Sequence, residues 1–273
     1  MAIYITGDIH GNPVRLGVNS FYEQKEFDKN NKDANIAIIL GDFGLVWNKD
    51  GEDKSEKNWL NWLESKPFTT VFVDGNHECF PRIYSYPIKE WHGGKVHEIR
   101  PNVLHLMRGE IFNIEGLNFF TFGGASSHDI QDGILEFDNW IDKAKKLDKQ
   151  GKYMYRVRNL SWWEEELPTE EEMQHGLDIL KQHDNKVDYL LTHSPSTSEL
   201  ILMGGKGLYE SDILTDYLEK IKAVCDYKKH LFGHMHVNRA INEKDICLYE
   251  QIIRIKSTTR QLNNRAWLNN CRP

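Results

Sequence analysis

Five apolar, strand-like runs in this 273-residue chain each lead into a short polar motif of the same chemical character. The motifs are Gly7-Asp8-Ile9-His10-Gly11, Gly41-Asp42, Gly75-Asn76-His77-Glu78, Thr192-His193 and Gly233-His234-Met235-His236, and all but the fourth contain glycine. Strands that end this way can deliver their last residues to one rim, gathering Asp, Asn and His around a shared point. Asp8 and His10 are two apart, so they project the same way from a strand and can converge in the turn beyond it. Asp42 ends a buried run, and its two oxygens can bridge two cations. Asn76 adds an amide oxygen. His193, His234 and His236 add imidazoles, which suit Mn, Fe, Zn or Ni better than Mg or Ca. A donor set of nitrogen and oxygen without thiolate argues against a structural zinc site. A single motif of this kind is more often a turn former or a solvated pair than a ligand; the ordered set, each member after a strand, points to a pair of metal ions.

The runs at 2–6, 35–40, 70–73 and 188–192 are continuous and partly β-branched, as expected of strands covered on both faces. Further strands are expected at 103–106, 111–114, 118–122, 229–232, 246–249 and 252–255. Asn12 followed by Pro13 signals a helix start. Helices are also expected at 54–65, around Trp59, Leu60, Trp62 and Leu63, and at about 210–224. In the latter, Ile213, Leu214, Tyr217, Leu218, Ile221 and Val224 share a face. Alternating strands and helices imply a layered α/β architecture. The segment from about 129 to 187 is charged, aromatic and helical in character. Its two capping-box patterns are Ser161-Trp162-Trp163-Glu164 and Thr169-Glu170-Glu171-Glu172. It reads as an insertion covering the rim within one domain of residues 1–256, followed by a polar tail at 257–273 in which only Trp267 stands out.

A net charge of -7 disfavours a broad basic face for an extended duplex nucleic acid. Phosphates can still bind through metal ions, whose charge dominates locally. Cys79, Cys225, Cys247 and Cys271 are far apart and form no CxxC pair, which fits reduced thiols in a cytoplasmic protein. The chain starts directly on a strand-like run, without a signal-peptide pattern, and no apolar stretch is long enough to cross a bilayer.

In their order and spacing the five motifs resemble the calcineurin-like metallophosphoesterase superfamily, over residues 7–236. The resemblance implies a four-layered α-β-β-α sandwich with metals at the strand ends and a helical insertion over the active site. Carried over by motif, Asp8, His10 and His236 would hold one metal, Asn76, His193 and His234 the other, and Asp42 would bridge them. His77 matches the family's non-ligand histidine, which contacts the phosphate and helps the leaving group. The implied reaction is hydrolysis of a phosphodiester or phosphomonoester by a hydroxide bridging two divalent ions, manganese foremost. Small phosphoesters, nucleotides and nucleic-acid ends are the substrates considered. The other reading, an inactive binding scaffold of the same fold, expects lost ligands, and every ligand position here is filled. Two departures matter. Leu45 stands where protein phosphatases carry a carboxylate that orients the histidine, and Cys79 follows Gly-Asn-His-Glu where they carry arginine. Both disfavour a phosphoprotein phosphatase.

Outside the motifs, Gly123-Gly124-Ala125-Ser126-Ser127-His128-Asp129 follows an apolar run and should emerge near the rim, with His128 a candidate substrate contact. A tight turn bearing a surface histidine fits the same residues. Arg156 and Arg158, near Trp162 and Trp163, suggest guanidinium and stacking contacts to a nucleotide, with Arg158 the named candidate. Simple packing of the aromatic pair is the competing reading.

Overall fold

A computed structural model describes residues 2–204 and 210–255 of the chain. The tail at 257–273, with Trp267 and Cys271, lies outside the described residues. In chain order the elements are β1 (Ala2–Thr6), β2 (Asn35–Leu40), α1 (Lys54–Glu64), β3 (Thr69–Val73), α2 (Phe80–Ser85), β4 (Ile88–Trp91), β5 (Gly94–Arg100) and β6 (Val103–Leu106). Then come β7 (Glu110–Ile114), β8 (Leu117–Phe122), β9 (Gly133–Leu135), α3 (Trp140–Asp148), β10 (Tyr155–Val157) and α4 (Glu170–Gln182). The last are β11 (Tyr189–Thr192), α5 (Thr197–Leu202), α6 (Ile213–Val224), β12 (Lys229–Phe232), β13 (Arg239–Ala240), β14 (Asp245–Cys247) and β15 (Ile253–Ile255).

One sheet runs β15-β1-β2-β3-β6-β5-β4 and the other β13-β14-β12-β11-β8-β7. In the first, β1, β2, β3 and β6 are parallel; in the second, β14, β12, β11 and β8 are. Antiparallel strands close the edges. Two-residue alternation sorts each strand between layers. Ile3, Ile5, Ile36, Ile38, Leu40, Val71 and Val73 meet Phe112, Phe119, Leu191 and Leu231 in the seam between the sheets. Tyr4, Ala37, Ile39 and Phe72 face the other way, against Leu60 and Leu63 of α1. On the far side, Phe120, Phe122 and Leu190 pack on Leu180 of α4 and on Leu214, Leu218 and Ile221 of α6. The result is a four-layered α-β-β-α sandwich. Each fully buried aliphatic side chain contributes roughly 1.5–3 kcal/mol over an exposed one.

Some expected elements take other forms. Asn12 caps a single 3-10 turn, Pro13–Leu16, with its Oδ1 accepting from Val14 N–H at 3.2 Å. In α6, Leu214, Tyr217, Leu218 and Ile221 are buried, whereas Ile213 and Val224 at the helix ends are exposed. The Thr169–Glu172 box forms and starts α4. The Ser161–Glu164 box does not, because Ser161 Oγ accepts from Val157 N–H at 2.9 Å and closes a turn instead. Within the 129–187 segment, β9, α3 and β10 form a small layer around Leu135, Ala144 and Val157. By contrast, α4 belongs to the outer layer of the sandwich.

A buried charge cluster ties α5 and α6 to the second sheet. Lys222 Nζ donates to Glu199 Oε1 (2.7 Å) and Asp245 Oδ2 (2.9 Å), and His230 Nδ1 lies 2.7 Å from Glu199 Oε1. Burial alone would raise the Glu199 pKa, but the His230 and Lys222 charges outweigh it and hold the carboxyl at about 2 against an ordinary 4.5. A depressed folded pKa gives stability that is complete above 4.5 and lost as pH falls through about 2. Urea unfolding at pH 7 and pH 3 should show this acid loss, on the order of 1–3 kcal/mol. Glu199→Gln should flatten it, and an unchanged acid limb would count against the pairing. The Lys222 ammonium already occupies the space among these donors, so the cluster needs no cation.

Candidate metal centre

Because β1, β2 and β3 are parallel, their motifs leave the first sheet at one rim. β11 and β12 bring the other two motifs to that rim from the second sheet. Asp8 and Asp42 are 0% and 1% exposed, and Asn76 and His193 are equally buried. Two donor clusters form, each with its ligand atoms within 4.8 Å of one another: Asp8, His10, Asp42 and His236 in one, Asp42, His193 and His234 in the other. Asp42 belongs to both.

In the first cluster, His236 Nε2 is 3.3 Å from Asp8 Oδ2 and 2.9 Å from His10 Nε2. His10 Nδ1 is 3.7 Å from Asp42 Oδ2. In the second, His193 Nε2 lies 3.3 Å from Asp42 Oδ1, and its Nδ1 is fixed 2.7 Å from Leu40 O, which orients the ring. Asp8 accepts from His234 N–H at 3.1 Å, and Asp42 Oδ1 accepts from His77 N–H at 2.9 Å. Asn76 donates through Nδ2 to Ser127 Oγ at 3.3 Å, while its Oδ1 is buried and accepts no hydrogen bond. A buried orphan acceptor beside two carboxylates and four imidazoles suits a divalent cation, so these residues fit a metal pair.

The electrostatics agree. Burial would raise the Asp42 pKa, but His193, His77 and His10 hold it well below the carboxylate range. Burial would lower His193, but Asp42 and Asp8 push it up to about 10. Burial, reinforced by His193, holds His234 well below its ordinary value. Four donors sit in the left-handed backbone region: His10 (φ 43°), Asp42 (44°), His234 (65°) and His236 (50°). Such strain costs roughly 1–3 kcal/mol per residue and gathers at functional sites. Space is equally tight. A Cβ on Gly41 would meet His193 Nδ1 at 2.2 Å, and one on Gly75 would meet Asp42 Oδ1 at 2.1 Å.

His77 stands at the rim, stacked on Trp47 (5.5 Å, 26°) and edge-on to His10 (4.8 Å). Burial lowers its pKa to about 4, so the ring is neutral at pH 7. Glu78 lies beneath, accepting from Phe43 N–H at 2.7 Å and Gly44 N–H at 3.3 Å, which braces the turn after Asp42.

His128 and His234 rings are 5.6 Å apart, and both border a cavity of about 490 Å³ with Ser126, Ser127 and Ser194. Arg158 is not brought to it. Its guanidinium pairs with Glu136 and Glu164 and covers Trp162 at 4.8 Å, beside a different cavity. Trp163 is buried against Cys79, Phe80 and Trp47 as packing. Three further residues enter the site in roles the sequence did not assign them, Arg156 having been read as a nucleotide contact beside Arg158. Arg156 reaches His77, while Ser127 and Glu166 support Asn76 through a 2.6 Å hydrogen bond from Ser127 Oγ to Glu166. No motif marks Glu166, and nothing in the sequence pairs Arg156 with His77; both arrive from the far-off insertion.

Residues 1–238 match the family described as calcineurin-like phosphoesterase. The chain is 22% identical over 260 residues to the lariat debranching enzyme of Gallus gallus, covering 88% of this chain and 43% of that protein. It is 21% identical over 208 residues to the lariat debranching enzyme of Danio rerio, covering 71% of this chain and 31% of that protein. The chain therefore spans less than half the length of these curated relatives. No helix among the described residues is long and apolar enough to cross a membrane. The motif order, the sandwich and the clustered donors agree with this match: the chain belongs to the calcineurin-like phosphoesterase family.

Proposed function

We propose that the protein is a binuclear phosphoesterase acting on a phosphodiester of a nucleotide or nucleic-acid end. The observation that carries this reading is the sharing of Asp42 between two donor clusters. Asp8, His10 and His236 would hold one cation, Asn76, His193 and His234 the other, with manganese ahead of iron, zinc or nickel for this mixture of imidazole and oxygen donors. Bound divalent cations supply Lewis-acid activation of water and of the phosphate oxygens. His77, neutral and held over Trp47, hydrogen-bonds the leaving oxygen. The organic part of the substrate lies in the cavity beside His128, Ser126 and Ser127. Relatives named for lariat debranching favour a diester in nucleic acid, whereas the net charge of -7 disfavours an extended duplex. The buried, unpaired thiols of Cys79, Cys225 and Cys247 fit a cytoplasmic setting.

The test combines metal analysis with hydrolysis of bis-p-nitrophenyl phosphate and p-nitrophenyl phosphate. Two equivalents of metal per chain, faster turnover of the diester, loss on chelation and recovery with manganese are the expected results. A chain that binds less than one equivalent and cleaves neither compound would overturn the proposal.

A further inference from the structure

The side chain that seats His77 comes from the insertion. Leu45, at the position of the phosphatases' orienting carboxylate, is buried in the apolar layer under the first sheet and reaches no polar group of the site. In its stead Arg156 Nη2 lies 2.9 Å from His77 Nε2. A guanidinium has donors and no acceptor, so His77 Nε2 must be the accepting nitrogen and the ring proton must sit on Nδ1. Arg156 is itself held on several sides. Its Nε donates to Asp129 Oδ1 at 2.6 Å, and its Nη1 donates to Asn76 O at 3.2 Å and to Ser161 O at 3.1 Å. Glu166 Oε1 lies 3.6 Å from Nη1, and the whole residue is 5% exposed. Trp47 covers one face of the His77 ring and His10 meets it edge to face. Ring plane, ring flip and tautomer are thus fixed together.

We propose that Arg156 is the positioning residue for His77: it replaces the missing carboxylate, locks the Nδ1–H tautomer and makes the 129–167 insertion a working part of the active site. The inference rests on the phosphoesterase reading for its kinetic consequence but not for its structural one. Asp129, Ser161 and Asn76 serve to aim the guanidinium, so the seat depends on the insertion being docked. Lysine keeps the charge that Asp129 faces but lacks the fork that reaches four partners at once.

The experiment uses the full chain loaded with zinc, with imidazole nitrogens labelled by ¹⁵N. Long-range proton–nitrogen spectra should show His77 as the Nδ1–H tautomer in the wild type and as a mixture in Arg156→Lys and Arg156→Gln. On bis-p-nitrophenyl phosphate with manganese, both variants should lose kcat by about 10- to 100-fold, the scale of loss when a positioned group is displaced by about an ångström. KM and metal content should stay within about twofold of wild type. Added to His77→Asn, neither change should cost anything more, because residues acting as a unit are non-additive. An unchanged His77 tautomer in both variants overturns the proposal, and so do losses that multiply with His77→Asn, the result for an arginine gripping the phosphate itself. Arg156→Lys guards against a simple failure of the insertion to fold. The spectra need no substrate, so they judge the seat even if hydrolysis fails.

Discussion

An Asp42→Asn protein is expected to fold, to lose more than about 100-fold in affinity for both cations, and to show no measurable phosphoesterase turnover. Removing an outer partner of a metal ligand already costs 10- to 100-fold, and a shared ligand should cost more. The substitution isolates the charge. Asn accepts the left-handed backbone at this position (φ 44°), and its amide oxygen can still take the His77 N–H now 2.9 Å from Asp42 Oδ1. Only the negative charge and the second oxygen donor disappear. Isothermal titration with manganese, beside a thermal melt, reads both parts. Wild-type metal content with wild-type activity would refute the bridging assignment.

The second large effect is expected at a residue that gives no donor atom to a cation. Gly75 has an ordinary backbone conformation, so alanine there is tolerated by the chain itself. Its Cβ, however, would stand 2.1 Å from Asp42 Oδ1 and 2.3 Å from Asp42 N. No real contact is that short, so the Asp42 carboxylate must leave its place or the β3 loop must back away. Gly75→Ala should therefore lower metal affinity to the level of Asp42→Asn, with an overpacking penalty of roughly 1–3 kcal/mol in stability. A Gly75→Ala chain that loads two cations as tightly as wild type would show that the site has slack this packing denies.

The central strands were legible from sequence because burial on both faces leaves uninterrupted apolar runs, and β1, β2 and β3 begin within a residue of the expected positions. Among the short strands, β14 and β15 were expected at 246–249 and 252–255, but three others were not. β9, β10 and β13 have two or three residues each, too few to show a period. The metal donors were readable because each had to sit at a strand end, in a turn that glycine permits. Groups acting through those donors carried no such mark. Arg156 reaches His77 across 79 residues of chain and Glu166 reaches Ser127 across 39, by contacts that only the folded insertion creates. The Ser161 pattern failed for a related reason: its hydroxyl closed a turn with Val157 before a helix could use it. Arg158 fits the same account, since a neighbouring acidic pair claimed it.

Each donor cluster draws on both sheets: Asp8, His10, Asp42 and Asn76 from one, His193, His234 and His236 from the other. Bound ions would therefore act as rivets across the sandwich at one end, where ionic ligands take over from hydrocarbon. Chelation should then do more than silence chemistry. It would unfasten that end alone, leaving the remaining length zipped by isoleucine, valine and phenylalanine, so that losing the ions spreads the jaws without dismantling the hinge.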